Sequence, residues 1–382
     1  MVRVHADSLE VLRKRTSAKW RSFPEDVLPL PVAEMDFPIA KPIRDVLIDM
    51  IKRSDTGYSG IAPELPQAFA NYAKRNWSWT VNKDQFHLVT DVGVAGVEVL
   101  RLWTVPGDKV VINSPVYLNF FTWLKESNCE AVDVPLLRVG DQWALDLAGL
   151  EDAFAAGAKV YILCHPHNPV GHVFTLDELE KIAELAKKFD VMVISDEIHA
   201  PLTFSPAKFI PYLNVSDIAR ETGVCITSAS KAWNLAGLKC AQIISDDEKI
   251  HDRLLQLPLS TPWRSSLLGV WGSIAAYNQG EPWLNAVMKN IDVNRHYLSK
   301  LLKKHLPKAK YIISDSTYLA WIDLGAYGVE DVTTLLLDKG RVALNNGTDF
   351  GPTGKYHVRM NIATSKEIIK EAVLRMASVL ED

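Results

Sequence analysis

The chain has 382 residues, 48% of them hydrophobic and 23% charged, with a formal net charge of −4. That length is long for one core and natural for two domains, and the apolar content can fill a large interior. No long basic run points to nucleic acid, and no apolar run is long enough to cross a bilayer, so neither partner is expected.

Residues 1–47 read as irregular, punctuated by Pro24, Pro29, Pro31, Pro38 and Pro42. Within them Val32-Ala33-Glu34-Met35-Asp36-Phe37-Pro38 mixes apolar and acidic residues, which suits an entry loop over a cleft or a plain edge segment. There is no apolar signal-peptide core between Met1 and Trp20. Pro42 to Arg53 has the spacing of an amphipathic helix, Gly57-Tyr58-Ser59-Gly60 of a turn, and Leu65 to Trp77 of a second helix. Phe86 to Thr90 is strand-like and runs through Asp91-Val92-Gly93-Val94 into a helix. A helix that starts this way offers free backbone N–H groups and a positive dipole end, which suits a phosphate; such turns are also common packing features.

Regular alternation follows. Strands are predicted at Lys109–Asn113, Val160–Cys164, Val191–Ser195, Val224–Ile226 and Ala241–Ser245. Thr175 to Phe189 is an amphipathic helix opened by a Thr175/Glu178 capping box. Unbroken apolar strands separated by helices mean a mostly parallel sheet covered on both faces. The four cysteines, Cys129, Cys164, Cys225 and Cys240, lack metal-ligand spacing, and no metal is expected. Two of them, Cys164 and Cys225, lie in apolar strands as small hydrophobes, and a reduced cytoplasm is the expected setting.

Polar residues gather where the strands end: Tyr117, Asn168, Asp196, His199, Ser228 and Lys231. Each alone is an ordinary loop residue. In doubly wound sheets, however, the ligand crevice lies outside the carboxyl ends of the strands. Lys231 follows the strand at Val224–Ile226 in the stretch Ser230-Lys231-Ala232-Trp233-Asn234-Leu235-Ala236-Gly237-Leu238. A lysine there either snorkels to the surface or loses its charge by burial, and a neutral amine can attack a carbonyl. Beyond Asn278 the pattern becomes that of a smaller α+β domain. Its helices are expected at Pro282–Leu306, Val329–Lys339 and Ser365–Leu380. Its strands are expected at Tyr311–Ile313, Thr317–Asp323, near Val342 and at Tyr356–Ile362. The last alternates, with Tyr356, Val358, Met360 and Ile362 on one face and His357, Arg359 and Asn361 on the other.

Taken together these motifs resemble the fold-type-I pyridoxal-phosphate enzymes, the aspartate aminotransferase superfamily, over nearly the whole chain. Ala33-Glu34-Met35-Asp36-Phe37, Asp196-Glu197-Ile198-His199 and the run from Ser230 to Leu238 resemble more closely the cystathionine β-lyase-like C–S lyases of the MalY/PatB type. The resemblance implies an α/β fold with a large domain carrying a mostly parallel, doubly wound sheet, plus a smaller α+β domain. Residues 1–47 would be the N-terminal segment of the small domain, 48–280 the large domain and 281–382 the C-terminal small domain.

The resemblance also implies roles. Pyridoxal 5′-phosphate would be held covalently by Lys231, which is also the catalytic base. Asp196 would pair with the protonated ring nitrogen, Asn168 would hydrogen-bond the phenolate, and Tyr117 would stack on the ring. His199 stands where many aminotransferases carry a tyrosine. The phosphate would rest on the Gly93 and Val94 backbone and the Ser228 hydroxyl. Lys239 stands where the superfamily often has an arginine, so the charge is kept and the bidentate fork is lost. Tyr58 would reach the phosphate in a neighbouring subunit, which implies a homodimer with its site at the interface. Arg359, helped by Asn168, would clamp the α-carboxylate of a small amino-acid substrate. The implied reaction is β-elimination of cystathionine or a related cysteine S-conjugate to pyruvate, ammonia and a thiol, with amino-group transfer as the alternative. Trp263, Tyr58 and the Glu34–Phe37 loop are candidates for the β-substituent pocket. A ligand-sensing regulator on this fold would carry a helix-turn-helix domain, and no such pattern precedes the matching region.

Overall fold

The structure is a computed structural model describing residues 3–60, 62–140 and 142–381. A seven-stranded sheet dominates it. In chain order the strands are β1 (Phe86–Val89), β2 (Lys109–Ile112), β3 (Glu130–Asp133), β4 (Val160–Cys164), β5 (Met192–Asp196), β6 (Gly223–Thr227) and β7 (Ala241–Ile244). Across the sheet they run β1-β7-β6-β5-β4-β2-β3. Strands β2 to β6 pair in parallel, and β7 runs antiparallel to both of its neighbours. This is the mostly parallel sheet the apolar runs imply.

Residues of β4, β5 and β6 are buried throughout. Along β4, Val160, Ile162 and Cys164 enter one apolar cluster while Tyr161 and Leu163 enter the other. Both faces are thus covered, which removes the polar alternation of a half-exposed strand. Strand β3 differs. It lies at the sheet edge with exposed Glu130 and Ala131, so it lacks an apolar run and escapes sequence reading.

Helix α1 (Lys41–Lys52) and helix α2 (Glu64–Trp77) lie on one face of the sheet, and helix α3 (Val92–Trp103) and helix α4 (Asn119–Glu126) on the other. Helix α5 (Leu176–Phe189) starts at the Thr175/Glu178 capping box, with both reciprocal bonds formed. The turn after β4 passes under the C-terminal region at Gly171. Its φ is +68°, and a Cβ there would lie 2.4 Å from the Ser314 Cβ, so glycine is required twice over.

The C-terminal region opens with helix α6 (Glu281–His305) and closes with helix α7 (Lys366–Leu380). Between them β8 (Lys310–Tyr311), β9 (Leu319–Asp323), β10 (Asn345–Asn346) and β11 (His357–Asn361) form an antiparallel sheet in the order β8-β9-β11-β10. Leu28–Pro29 pairs in parallel with Val342–Ala343, and the Asn361 N–H donates to the Leu30 carbonyl at 2.8 Å. The chain then crosses from this sheet to the large one as residues 31–37. Along β11 the alternation has two buried faces. Val358 and Met360 enter the core, while Arg359 and Asn361 are buried beside residues 31–34.

Candidate active site

The ends of β2, β4, β5 and β6, helix α3, residues 31–33 and Arg359 enclose a cavity of about 440 Å³. It lies at the carboxyl ends of the parallel strands, where chain crossovers leave a crevice.

Asp196 ends β5 and is 4% exposed. Its carboxylate accepts a hydrogen bond from the Ile198 N–H at 3.2 Å, and burial pushes its pKa up to about 7. A buried carboxylate that clings to its proton this way is poised for a cation, and a protonated ring nitrogen supplies one. His199 is also buried. Desolvation, then the nearby Lys231 and Arg359 cations, lower it to about 3, so its imidazole is neutral. Its Nδ1 has no partner among the described residues.

Arg359 is the reverse of an ordinary buried cation. Its Nη1 donates to Asn168 Oδ1 at 3.1 Å, and its Nη2 donates to the Pro31 carbonyl at 2.9 Å and Asn345 Oδ1 at 2.7 Å. All these acceptors are neutral. The guanidinium lies 4.8 Å from the Phe350 ring centre, its Nε is unpartnered among the described residues, and burial lowers it to about 10. Burying a cation without an anion is costly, and a carboxylate ligand removes the cost. The Arg359 bond also fixes the Asn168 amide. With Oδ1 accepting, Nδ2 is left to donate to an oxyanion.

Lys231 lines the same cavity, and its Nζ donates to the Ala33 carbonyl at 3.2 Å. Desolvation, then the Arg359 cation, lower the amine from 10.5 to about 8. Tyr117 lines the cavity, and its Oη accepts from Asn119 Nδ2 at 2.6 Å. Ser228 Oγ donates to the Cys240 carbonyl at 2.6 Å and accepts from the Ser230 N–H at 3.0 Å. Its hydroxyl proton must turn away from Cys240 to serve an anion.

Helix α3 is capped by Asp91, whose Oδ1 accepts from the Val94 N–H at 2.9 Å. The Val94 donor is therefore committed, and the donors left at the cavity wall are those of Val92 and Gly93. Lys239 also lines the cavity, with its Nζ 2.9 Å from Asp91 Oδ2. Tyr58 lies elsewhere. It is 85% exposed and packs edge-on against Trp263 at 6.3 Å, outside its own chain's cavity.

Residues 32–37, which include the Glu34–Phe37 candidate for the β-substituent pocket, also have a role in the fold. They form a strap whose carbonyls are taken one after another by side chains from distant elements. Asn361 Nδ2 donates to the Val32 and Glu34 carbonyls at 2.7 and 2.6 Å, and Tyr318 Oη donates to the Ala33 carbonyl at 3.0 Å. Asn234 Oδ1 accepts from the Met35 N–H at 2.8 Å, and its Nδ2 donates to the Met35 carbonyl at 3.0 Å. Asn119, Asn345, Asn361 and Tyr318 carry no local motif, so only the fold reveals them. Asn234 stood within the lysine motif, where its spacing gave the sole hint.

The cavity therefore suits a planar cationic ring bearing an oxyanion and a phosphate, beside a carboxylate seat and an amine. Among the described residues no helix is long and apolar enough to cross a membrane. A Mycobacterium tuberculosis protein whose name gives cystathionine β-lyase as a provisional assignment is 41% identical, covering 98% of this chain and 97% of its own. Corynebacterium glutamicum cystathionine β-lyase is 35% identical over 97% of this chain and 99% of its own. Among solved structures, cystalysin from Treponema denticola, which contains a pyridoxal 5′-phosphate cofactor, superposes with a TM-score of 0.93 at 27% identity, covering 100% of both chains. The sequence profile of aminotransferase class I and II matches residues 25–376, and the chain belongs to that family.

Proposed function

We propose that this protein is a pyridoxal 5′-phosphate-dependent C–S β-lyase that cleaves L-cystathionine or related cysteine S-conjugates to pyruvate, ammonia and a thiol. It works in the cytoplasm as a homodimer. The carrying observation is the buried, anion-free guanidinium of Arg359 in one cavity with the Lys231 amine and the proton-retaining Asp196 carboxylate. The Corynebacterium and Treponema relatives support the reading. Tyr58 and Leu259, 85% and 89% exposed, are apolar surface suited to a second copy.

When bound, the cofactor supplies an electron sink for the negative charge that develops at the substrate Cα. Lys231 would hold it covalently through Nζ. Asp196 would pair with the ring nitrogen and keep it protonated, Asn168 Nδ2 would donate to the phenolate, and Tyr117 would cover a ring face. Neutral His199 adds no charge against the ring. The Val92 and Gly93 N–H groups, Ser228 and Lys239 would take the phosphate.

Arg359 seats the substrate carboxylate and so fixes the Cα–H bond relative to Lys231. The Lys231 amine, once free, accepts the Cα proton, and a pKa near 8 suits that exchange at neutral pH. The Cα–H electron pair becomes the Cα–Cβ double bond, the Cβ–S bond breaks, and its electrons leave with the thiolate. The aminoacrylate released hydrolyses to pyruvate and ammonia.

The test is incubation of the purified holoenzyme with L-cystathionine and no keto-acid acceptor, with Lys231→Ala as control. Multi-turnover pyruvate from the wild type alone is expected. Absence of pyruvate from cofactor-loaded protein would point to amino-group transfer instead.

A further inference from the structure

We propose that Asp91 is an anionic member of the phosphate seat, and that Lys239 is held there as a cation shared between Asp91 and the cofactor phosphate. This rests on the reading of helix α3 as the phosphate's resting place.

A helix N-terminus attracts an anion because its first N–H groups are free and its dipole end is positive. Here a carboxylate already sits at that end. Asp91 Oδ1 takes the Val94 N–H at 2.9 Å, and Oδ2 takes Lys239 Nζ at 2.9 Å. Both side chains line the cavity together with Thr90, Val92, Gly93 and the 3%-exposed Ser228. Position 93 keeps the seat open. A Cβ there would come within 3.2 Å of Asp91 Oδ1 and 3.5 Å of Trp123 Nε1.

A phosphate resting on the Val92 and Gly93 N–H groups stands beside a like charge, which opposes its binding. Lys239 relieves the conflict. An ammonium is a compact charge with three donors, so one Nζ serves Asp91 and a phosphate oxygen together. The pair is also reachable by solvent, with side chains 53% and 39% exposed, so salt weakens it. The consequence is a cofactor held less tightly than the same cradle would hold it without Asp91, and a hold that depends on Lys239.

The experiment is equilibrium binding to the apoenzyme, read by protein fluorescence, comparing pyridoxal 5′-phosphate with pyridoxal, which lacks the phosphate. Asp91→Asn keeps a capping oxygen and removes the charge. It is expected to tighten pyridoxal 5′-phosphate binding about tenfold, the size suited to one like charge nearby in a partly solvated site. Lys239→Met is expected to weaken it, and the double variant to return it toward wild type. Pyridoxal affinity should stay constant across the set. Asp91→Ser, a second neutral cap, guards against a folding defect in Asp91→Asn, with circular dichroism on each variant. Weaker pyridoxal 5′-phosphate binding in both neutral-cap variants, or equal shifts for both ligands, would overturn the role of Asp91. Failure of wild-type protein to bind either ligand would instead overturn the cofactor reading beneath it.

Discussion

Two lysine–aspartate pairs of nearly equal length, one against the strap and one in the cavity wall, differ in their surroundings and so in their meaning. Lys19 and Asp36 lie 2.8 Å apart with both side chains fully buried. Lys239 and Asp91 lie 2.9 Å apart with side chains 53% and 39% exposed. The first pair is a fastener. Asp36 Oδ1 also accepts from Trp20 Nε1 at 3.1 Å, its N–H donates to the Ala363 carbonyl at 2.8 Å, and Lys19 Nζ reaches the Glu34 carbonyl at 3.3 Å. It ties the N-terminal segment to the strap whose Ala33 carbonyl receives Lys231. The second pair is open to water and to the cavity, and it can exchange partners. Distance does not separate the two; desolvation does. A buried charge stripped of its partner is left in a medium that cannot solvate it, whereas an exposed one is taken up by water.

The sharpest way to break this contrast is Asp36→Ala. Lys19 would be left buried with no counter-ion, and we expect a loss of about 3–5 kcal/mol in urea unfolding. A Lys19→Met/Asp36→Leu variant should recover most of that loss, because an apolar pair removes the desolvation cost. Arg359 sharpens the contrast from the other side, as a buried cation whose hydrogen-bond acceptors are all neutral and for which we propose the substrate carboxylate as anion. Arg359→Met should raise KM for cystathionine about 100-fold by removing a charge-assisted bidentate seat, without a comparable loss of stability. The third test is one of pH. With Lys231 lowered to about 8, the neutral amine accumulates as pH rises through that value. Reaction of the apoenzyme amine with added pyridoxal should therefore rise with pH and reach half-maximum near 8, well below the ordinary 10.5. In Arg359→Met the midpoint should move upward, since the Arg359 cation helps to lower it. The smallest effect is that of Lys239→Met on folding. Apoenzyme stability should change by less than about 1 kcal/mol, because the pair it breaks is exposed.

Much of the architecture was legible because burial on both faces writes itself into composition. Strands β4, β5 and β6 read as unbroken apolar runs, and the polar residues at and beyond their ends, Asn168, Asp196, His199 and Lys231, line one cavity. Arg359 was legible for a related reason, as a charge in an alternating strand whose other face is core. Edge strand β3 escaped because half of its residues face water. The strap's partners Tyr318 and Asn361, and the Arg359 partner Asn345, escaped because they acquire meaning only when the two sheets meet. At helix α3 the glycine was visible, but the capping choice of Asp91 was not, and it moves the free donors from Gly93 and Val94 to Val92 and Gly93. Tyr58 faces outward and packs edge-on against Trp263.

On the proposed reading the cavity breaks a C–S bond rather than moving an amino group. The direct test gives the holoenzyme L-cystathionine together with a keto acid and counts both products in the same reaction. We predict pyruvate and free thiol in equal amounts, with no new amino acid formed from the keto acid. An amino acid appearing in step with cystathionine loss, without thiol release, would instead make the enzyme an aminotransferase.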